Sequence, residues 1–581
     1  MKTMLFGVLG FVLMTSGCTM KNTSAADASF QKLSDDFLTG YLDWRPQYGV
    51  ALGLHEYDGK APDYSRQSID NELARLKEYL GKMDGLDTTS MSERAYYDFR
   101  ILRSGILNEI FNIENMGSYW KNPMSYPGGI DVSIYIKRDF APLDDRVRSL
   151  IAIEETAPKL FADARANLNE ALPRPYVETA IQIVNGSAEF LAGDVVKALK
   201  DLKNDSLRTA FKKANDGAIR ELKSFAGYLQ KTKLPKATGA YAIGEDNYRR
   251  MLYDGEMVTM KPEAILAKGM EELKKEQETF NAAAKVIDPD KKPVDVYHDM
   301  QKDHPTAANL IKDVRDHTEM IRQFVVDHHI VTMPSDVRVK VEETPQYARS
   351  TSTASMDTPG PFEKKATEAY YYVTPVDPKW TAKQKEDWLR MFDYYTTDNV
   401  TVHEAYPGHY TQFLHLNASS ASKIEKIFGS YAFIEGWAHY AEKMMLDEGF
   451  GNTGDPVKAA KYRLAQSGDA LLRLCRLCVS IKMHTQGMTV DEGTKFFMDN
   501  WYQGEKPSRQ EAIRGTFDPG YLYYTLGKLE ILKLREDYRK QEGANFSLEK
   551  FHDLLLDNGM PPIRLLRELL LKDKSTWNDI L

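Results

Sequence analysis

Residues 403–409 read His-Glu-Ala-Tyr-Pro-Gly-His, a set of imidazoles and a carboxylate that can hold and use a divalent metal. A histidine followed at once by glutamate, with a second histidine close behind, is how a helix assembles a catalytic zinc site. The rings bind the ion, and the glutamate activates the water it polarises. In the usual His-Glu-x-x-His form the histidines are four apart, about 40° around a helix and so on one face. Here they are six apart, roughly 240° round a straight helix and about 9 Å along it. An unbroken helix cannot present both to one ion. Pro407 lacks the amide that would bond back to the His403 carbonyl, so the spacing predicts a kink or bulge at Pro407-Gly408 that returns His409 toward His403.

A zinc hydrolase needs a third protein ligand and a position left for water. Residues 433–442, Phe-Ile-Glu-Gly-Trp-Ala-His-Tyr-Ala-Glu, place Glu435, His439 and Glu442 on one helix face. Glu435 is the expected ligand, with His439 and Glu442 supporting the ligands from behind. Glu442 as the ligand is the alternative. Such a set is rare by accident: with 12 histidines in the chain, His-Glu with a histidine six on arises about 0.01–0.02 times per chain. The set predicts one zinc ion per chain, with Glu404 as general base.

The elements that must position these residues are mostly helical. Helical periodicity runs over 30–44, 69–83, 94–113, 144–172, 177–204, 207–229, 262–284 and 306–329. Strand-like alternation appears at 337–342 (Val-Arg-Val-Lys-Val-Glu) and again at 367–374, as a possible pair. The stretch 348–365, rich in Ser, Thr, Pro and Gly, reads as loop. Thr381 caps a helix over 382–395, and the motif helix follows. The expected fold is mainly α, one large helical domain over 27–581 with a small β-sheet beside the metal motif. A strand edge there suits a peptidase, because it can hold an extended peptide by backbone hydrogen bonds.

Composition narrows the partners. The 581 residues are 42% hydrophobic and 28% charged, an ordinary globular balance. A net charge of −8 argues against nucleic acid as the main partner. At the N-terminus, Lys2 precedes an apolar run over 4–14, too short to span a bilayer comfortably, and then Ser16-Gly17-Cys18. This predicts a signal peptide over 1–17, lipidation at Cys18 and a flexible tether over 18–26; a non-lipidated signal is the alternative. Lipid would be the only membrane contact. Thr19 is not the aspartate that retains lipoproteins at the inner membrane, which favours the outer membrane, on the periplasmic side of a bacterial envelope. Cys475 and Cys478 sit in a helical pattern with no second pair, and read as small buried apolar residues.

The segments 402–412 and 434–442 resemble the bacterial domain of unknown function 885 family. Further agreement lies in Arg174-Pro175, in 551–559 and in 52–58. That family is similar to helical zinc peptidases of the carboxypeptidase Taq and thermolysin-related kind. The resemblance implies His403, His409 and Glu435 as ligands and Glu404 as base. It also implies a tyrosine near Asp518-Pro-Gly that faces the metal; Tyr524 aligns best with Gly527, and Tyr523 is the alternative. Its hydroxyl would stabilise the oxyanion. Arg514 and Arg476 are candidate anchors for a substrate carboxylate. The resulting expectation is an envelope zinc metallopeptidase of short peptides. The alternatives are a zinc hydrolase of another amide or ester, or a lipoprotein whose metal serves only stability.

Overall fold

The computed structural model describes residues 24–345, 349 and 353–581. The segments expected to be signal peptide and most of the tether, with Cys18, lie outside the described residues. The last tether residues, Ala25 and Ala26, already belong to the first helix, Ala25–Trp44, which Ser24 caps through its side chain.

The chain is 70% helix and 3% strand. Among the described residues the strands form one small sheet: β1 (Lys340–Glu343), β2 (Ala354–Asp357) and β3 (Tyr370–Val373), in the order β1-β3-β2. β1 runs parallel to β3, with Val341 opposite Tyr371; β2 runs antiparallel to β3, with Met356 opposite Tyr371. The pairing of the two predicted strands is therefore correct. β2 falls inside the stretch expected to be loop. Its sequence, Ala-Ser-Met-Asp, has no strand periodicity, and its conformation comes from pairing with the apolar β3.

Several predicted helices are divided. The span 144–172 becomes Leu143–Glu154 and Ala157–Asn167, broken just before Pro158, which takes a first-turn position. In 382–395, the capping box of Thr381 and Gln384 starts Ala382–Leu389 as expected. That helix gives way to a 3-10 turn, Arg390–Phe392, because Asp393 caps a new one by accepting from the amides of Tyr395 and Thr396.

Apolar burial falls into two clusters. One draws mainly on residues between Phe30 and Leu229, with Ala366, Ile424, Ile427 and Leu565. The other takes Phe111 and residues from Tyr248 to Ile580, and it contains every element of the metal motif. The short helix Lys423–Ile427 inserts Ile424 and Ile427 into the first cluster, just before the chain enters the helix that carries Glu435. An ion pair between Arg94 and Glu425 and a hydrogen bond from Tyr48 Oη to the Ile427 carbonyl hold it there.

Candidate metal centre

The motif helix, Tyr394–Glu404, is buried on all sides, with Asp398, Thr401, Val402 and His403 enclosed. It does not kink at the proline. It stops at Glu404, passes through Ala405 to Gly408 with a cis Tyr406-Pro407 peptide, and a second helix begins at His409, spanning His409–Ala418. The amide of Gly408 turns back to the Val402 carbonyl at 3.0 Å. A Cβ at Gly408 would lie 1.9 Å from the His403 carbonyl oxygen, so only glycine permits this turn. Trp437 Nε1 donates to the Pro407 carbonyl at 2.9 Å, and the Tyr406 hydroxyl accepts from the Val339 amide at 3.1 Å. The loop is thus tied to the Glu435 helix on one side and to the approach to β1 on the other. The break achieves what the expected kink would have done: the rings of His403 and His409 stand 4.8 Å apart at 88°.

Glu435 projects between them from the helix Tyr431–Asp447. Its Oε2 is 3.5 Å from Nε2 of His403 and 3.5 Å from Nε2 of His409. Donor atoms of the three residues all lie within 4.8 Å of one another. Glu435 Oε2 is buried without a hydrogen bond among the described residues, as is His409 Nδ1. A buried carboxylate oxygen without a partner is costly, and a cation in contact with it removes the cost. Two imidazoles and a carboxylate are a donor set that fits a divalent zinc-like ion.

Behind the cluster, Glu442 serves as support. Its Oε1 accepts from His403 Nδ1 at 2.7 Å, which leaves Nε2 to face Glu435. Its Oε2 lies 3.0 Å from His439 Nδ1. Glu442 therefore orients a candidate ligand and does not join the set. Burial opposes its charge, but Arg473, His439 and His403 hold its carboxyl well below the usual range. Burial also disfavours a charged His403, yet the neighbouring carboxylates of Glu435 and Glu442 outweigh it and raise the ring to about 9. In His439, burial together with nearby Lys528 drives the value down to about 3, so the ring is neutral.

Glu404 is half-buried and has no hydrogen-bond or ion-pair partner among the described residues, so its carboxylate is unspent beside His403. Tyr524 comes from the helix Tyr523–Glu542, which crosses the Glu435 helix at two glycines. A Cβ on Gly436 would be 2.6 Å from Gly527 Cα, and one on Gly527 would be 1.9 Å from the Ala432 carbonyl. That backbone contact brings Tyr524 close enough to Glu435 for the carboxylate to oppose its ionisation, second only to burial. Tyr523 faces elsewhere. It is buried, donates to the Met251 carbonyl at 3.3 Å, and takes no place at the cluster.

The two predicted arginines differ. Arg476 is forked onto Glu511 at 2.7 and 2.8 Å, an ion pair within the protein and not an open anchor. Arg514 pairs with Asp518 at 2.9 Å and donates to Tyr431 Oη at 3.3 Å. Sequence reasoning missed Arg473, which lies 3.2 Å from Glu442, and Tyr431, whose ring packs on both Tyr523 and Tyr524 at 5.8 Å. Arg473 had a signal: a charge inside the largely apolar stretch 471–479, three residues before Arg476. Tyr431 had none. Cys475 and Cys478 are fully buried, as expected, and burial pushes the Cys478 thiol up to about 12.

Tyr431, Tyr523 and Asp518 also line a cavity of about 280 Å³, which shares Asn108, Gly255 and Gly429 with a neighbouring one of about 360 Å³. Both lie between the two apolar clusters.

Comparison with known proteins adds a family and a fold. The family described as "Bacterial protein of unknown function (DUF885)" matches residues 46–570. A solved structure titled "The structure of a putative lipoprotein of unknown function from Shewanella oneidensis" is similar at 27% identity and a TM-score of 0.78. The match covers 94% of this chain and 100% of that one. A second, "The crystal structure of the putative lipoprotein from Colwellia psychrerythraea", is 17% identical and shares the fold at a TM-score of 0.76, over 95% of this chain and 99% of that one. No curated protein matches. Among the described residues, no helix is long and apolar enough to cross a membrane.

Proposed function

The chain belongs to the DUF885 family, and we propose that this member is a zinc metallopeptidase of short peptides, lipid-anchored in the bacterial envelope. The observation that carries the reading is the convergence of His403, His409 and Glu435 on one point, with an unspent Glu404 on the residue next to a ligand. A bound zinc ion supplies Lewis acidity, which polarises a peptide carbonyl and makes a water acidic. His403, His409 and Glu435 would hold the ion. Glu442 and Arg473 fix the His403 ring so that Nε2 faces inward.

Glu404 takes the proton from the attacking water on its carboxylate and delivers it to the leaving amine nitrogen. Tyr524 donates its phenolic hydrogen to the carbonyl oxygen as charge develops there. A structural metal site has no need of the free carboxylate at Glu404, which favours the enzyme over a metal-stabilised scaffold. Amide or ester substrates other than peptides would use the same groups. The envelope location rests on the signal-like N-terminus, Cys18 and the titles of the two structural neighbours.

A peptide-library digest read by mass spectrometry, with and without chelator, tests the reading. Cleavage that chelator abolishes and added zinc restores is the expected result. An intact library in the presence of bound zinc rules the reading out.

A further inference from the structure

Three guanidinium groups converge on the ring of Tyr524: Arg476 at 5.1 Å, Arg514 at 5.8 Å and Arg473 at 5.9 Å from its centroid. Arg473 and Arg476 lie one turn apart on the long helix Pro456–Thr485, and Arg514 comes from Glu505–Phe517. Ion pairing explains how they are tolerated there. Each has a carboxylate: Glu442 for Arg473, Glu511 for Arg476 and Asp518 for Arg514. Pairing alone gives no reason to gather three like charges on one ring. Nor does it use all the donors, since a guanidinium carries five N–H bonds. Arg473 Nε is buried with no partner among the described residues. Arg514 is the accessible member, with 32% of its side chain exposed against 11% and 10% for Arg473 and Arg476. Its two partners, Tyr431 and Asp518, line the 280 Å³ cavity.

We infer that this cluster is a carboxylate subsite beside the metal centre, in which Arg514 meets a substrate carboxylate while Arg473 and Arg476, held by Glu442 and Glu511, flank the same Tyr524 ring. The inference rests on the peptidase reading and narrows its substrates to those with a carboxylate near the scissile bond. That carboxylate is either the free C-terminus of the peptide or an acidic side chain. A carboxylate entering here competes with Asp518 for the Arg514 fork, so the Arg514–Asp518 pair is the adjustable one.

The test is calorimetric, on zinc-loaded protein carrying Glu404→Gln so that nothing is consumed. The probes are acetyl-Ala-Ala-Ala as free acid, the same peptide as amide, and acetyl-Ala-Glu-Ala amide. A charge-assisted contact of this kind predicts that the free acid binds about 10–100-fold more tightly than the plain amide. Arg514→Gln should bring the free acid down to the amide's affinity and leave the amide unchanged. Asp518→Asn should tighten free-acid binding, an outcome a merely structural arginine does not produce. If the glutamate-containing amide binds as well as the free acid, the recognised group is a side chain; if it binds like the plain amide, it is the chain end.

Equal affinity for acid and amide, or an Arg514→Gln loss shared by both, overturns the inference. Cleavage is scored separately on the unmodified protein. A library left intact despite the affinity difference would sink the peptidase reading alone, and cleavage without any affinity difference would sink the subsite alone.

Discussion

His403, His409 and His415 follow one another at six-residue intervals, yet they end in two different kinds of surroundings. His415 is fully committed to protein partners. Its Nδ1 lies 2.7 Å from Asp557 and its Nε2 2.8 Å from the Thr332 carbonyl. Nearby His552 is likewise spent, on the Ile330 carbonyl at 2.7 Å and Tyr440 Oη at 2.8 Å, with its ring against Trp437. At His403 and His409, both Nε2 atoms point at a carboxylate 3.5 Å away, and buried polar atoms stay unpaired. Burial is common to the two regions. What separates them is unspent capacity: one closes its hydrogen bonds and supports the fold, while the other leaves them open toward a single point.

Removing a ligand should break this contrast most severely. His403→Ala or Glu435→Ala is expected to take bound zinc from one per chain to none and peptidase activity down by at least about 10³-fold, by metal analysis and initial rates. His415→Leu should keep the zinc and instead lose about 1–3 kcal/mol of stability in urea unfolding, from the partners left behind. Activity surviving the first change, or zinc lost by the second, erases the distinction.

Next come the groups that act without binding metal. Tyr524→Phe is predicted to lower kcat about 10²–10³-fold at unchanged zinc content. Tyr523→Phe should alter kcat by less than about twofold, since its hydroxyl is spent on Met251. The reverse order would mean that the wrong tyrosine faces the substrate. A smaller effect is expected behind the cluster: Glu442→Gln should weaken zinc about 10–100-fold in competition with a fluorescent chelator.

The mildest effect belongs to the closed region. Burial lowers His552 from 6.5 to about 3. A histidine with a depressed folded value contributes stability that is complete above 6.5 and drains as pH falls toward 3. His552→Asn should therefore flatten the acid limb of the stability profile over that window and leave the neutral zinc affinity alone.

The convergence of His403, His409 and Glu435 was legible in the sequence because types and spacing constrain it: histidine next to glutamate, a helix breaker between the histidines, and a glutamate on a following helix. So were the buried cysteines and the pairing of β1 with β3. Three features were out of reach, each set by contacts between distant segments. The motif helix ends and restarts because Gly408 lies against the His403 carbonyl, where a kink would have satisfied the same spacing. Tyr524 comes close to Glu435 because Gly436 and Gly527 let two helices touch. β2 exists because β3 offers it an edge. Arg476 misled for a related reason, since its partner Glu511 lies on another helix.

The central claim, that Glu404 works on peptides beside zinc held by His403, His409 and Glu435, is tested most directly by zinc-reconstituted wild type and Glu404→Gln assayed side by side. The account predicts one zinc per chain in both, with peptide cleavage in the wild type and a rate about 10²–10⁴-fold lower in the variant. Equal cleavage by the two proteins at equal zinc content, or no cleavage by a fully loaded wild type, would contradict it.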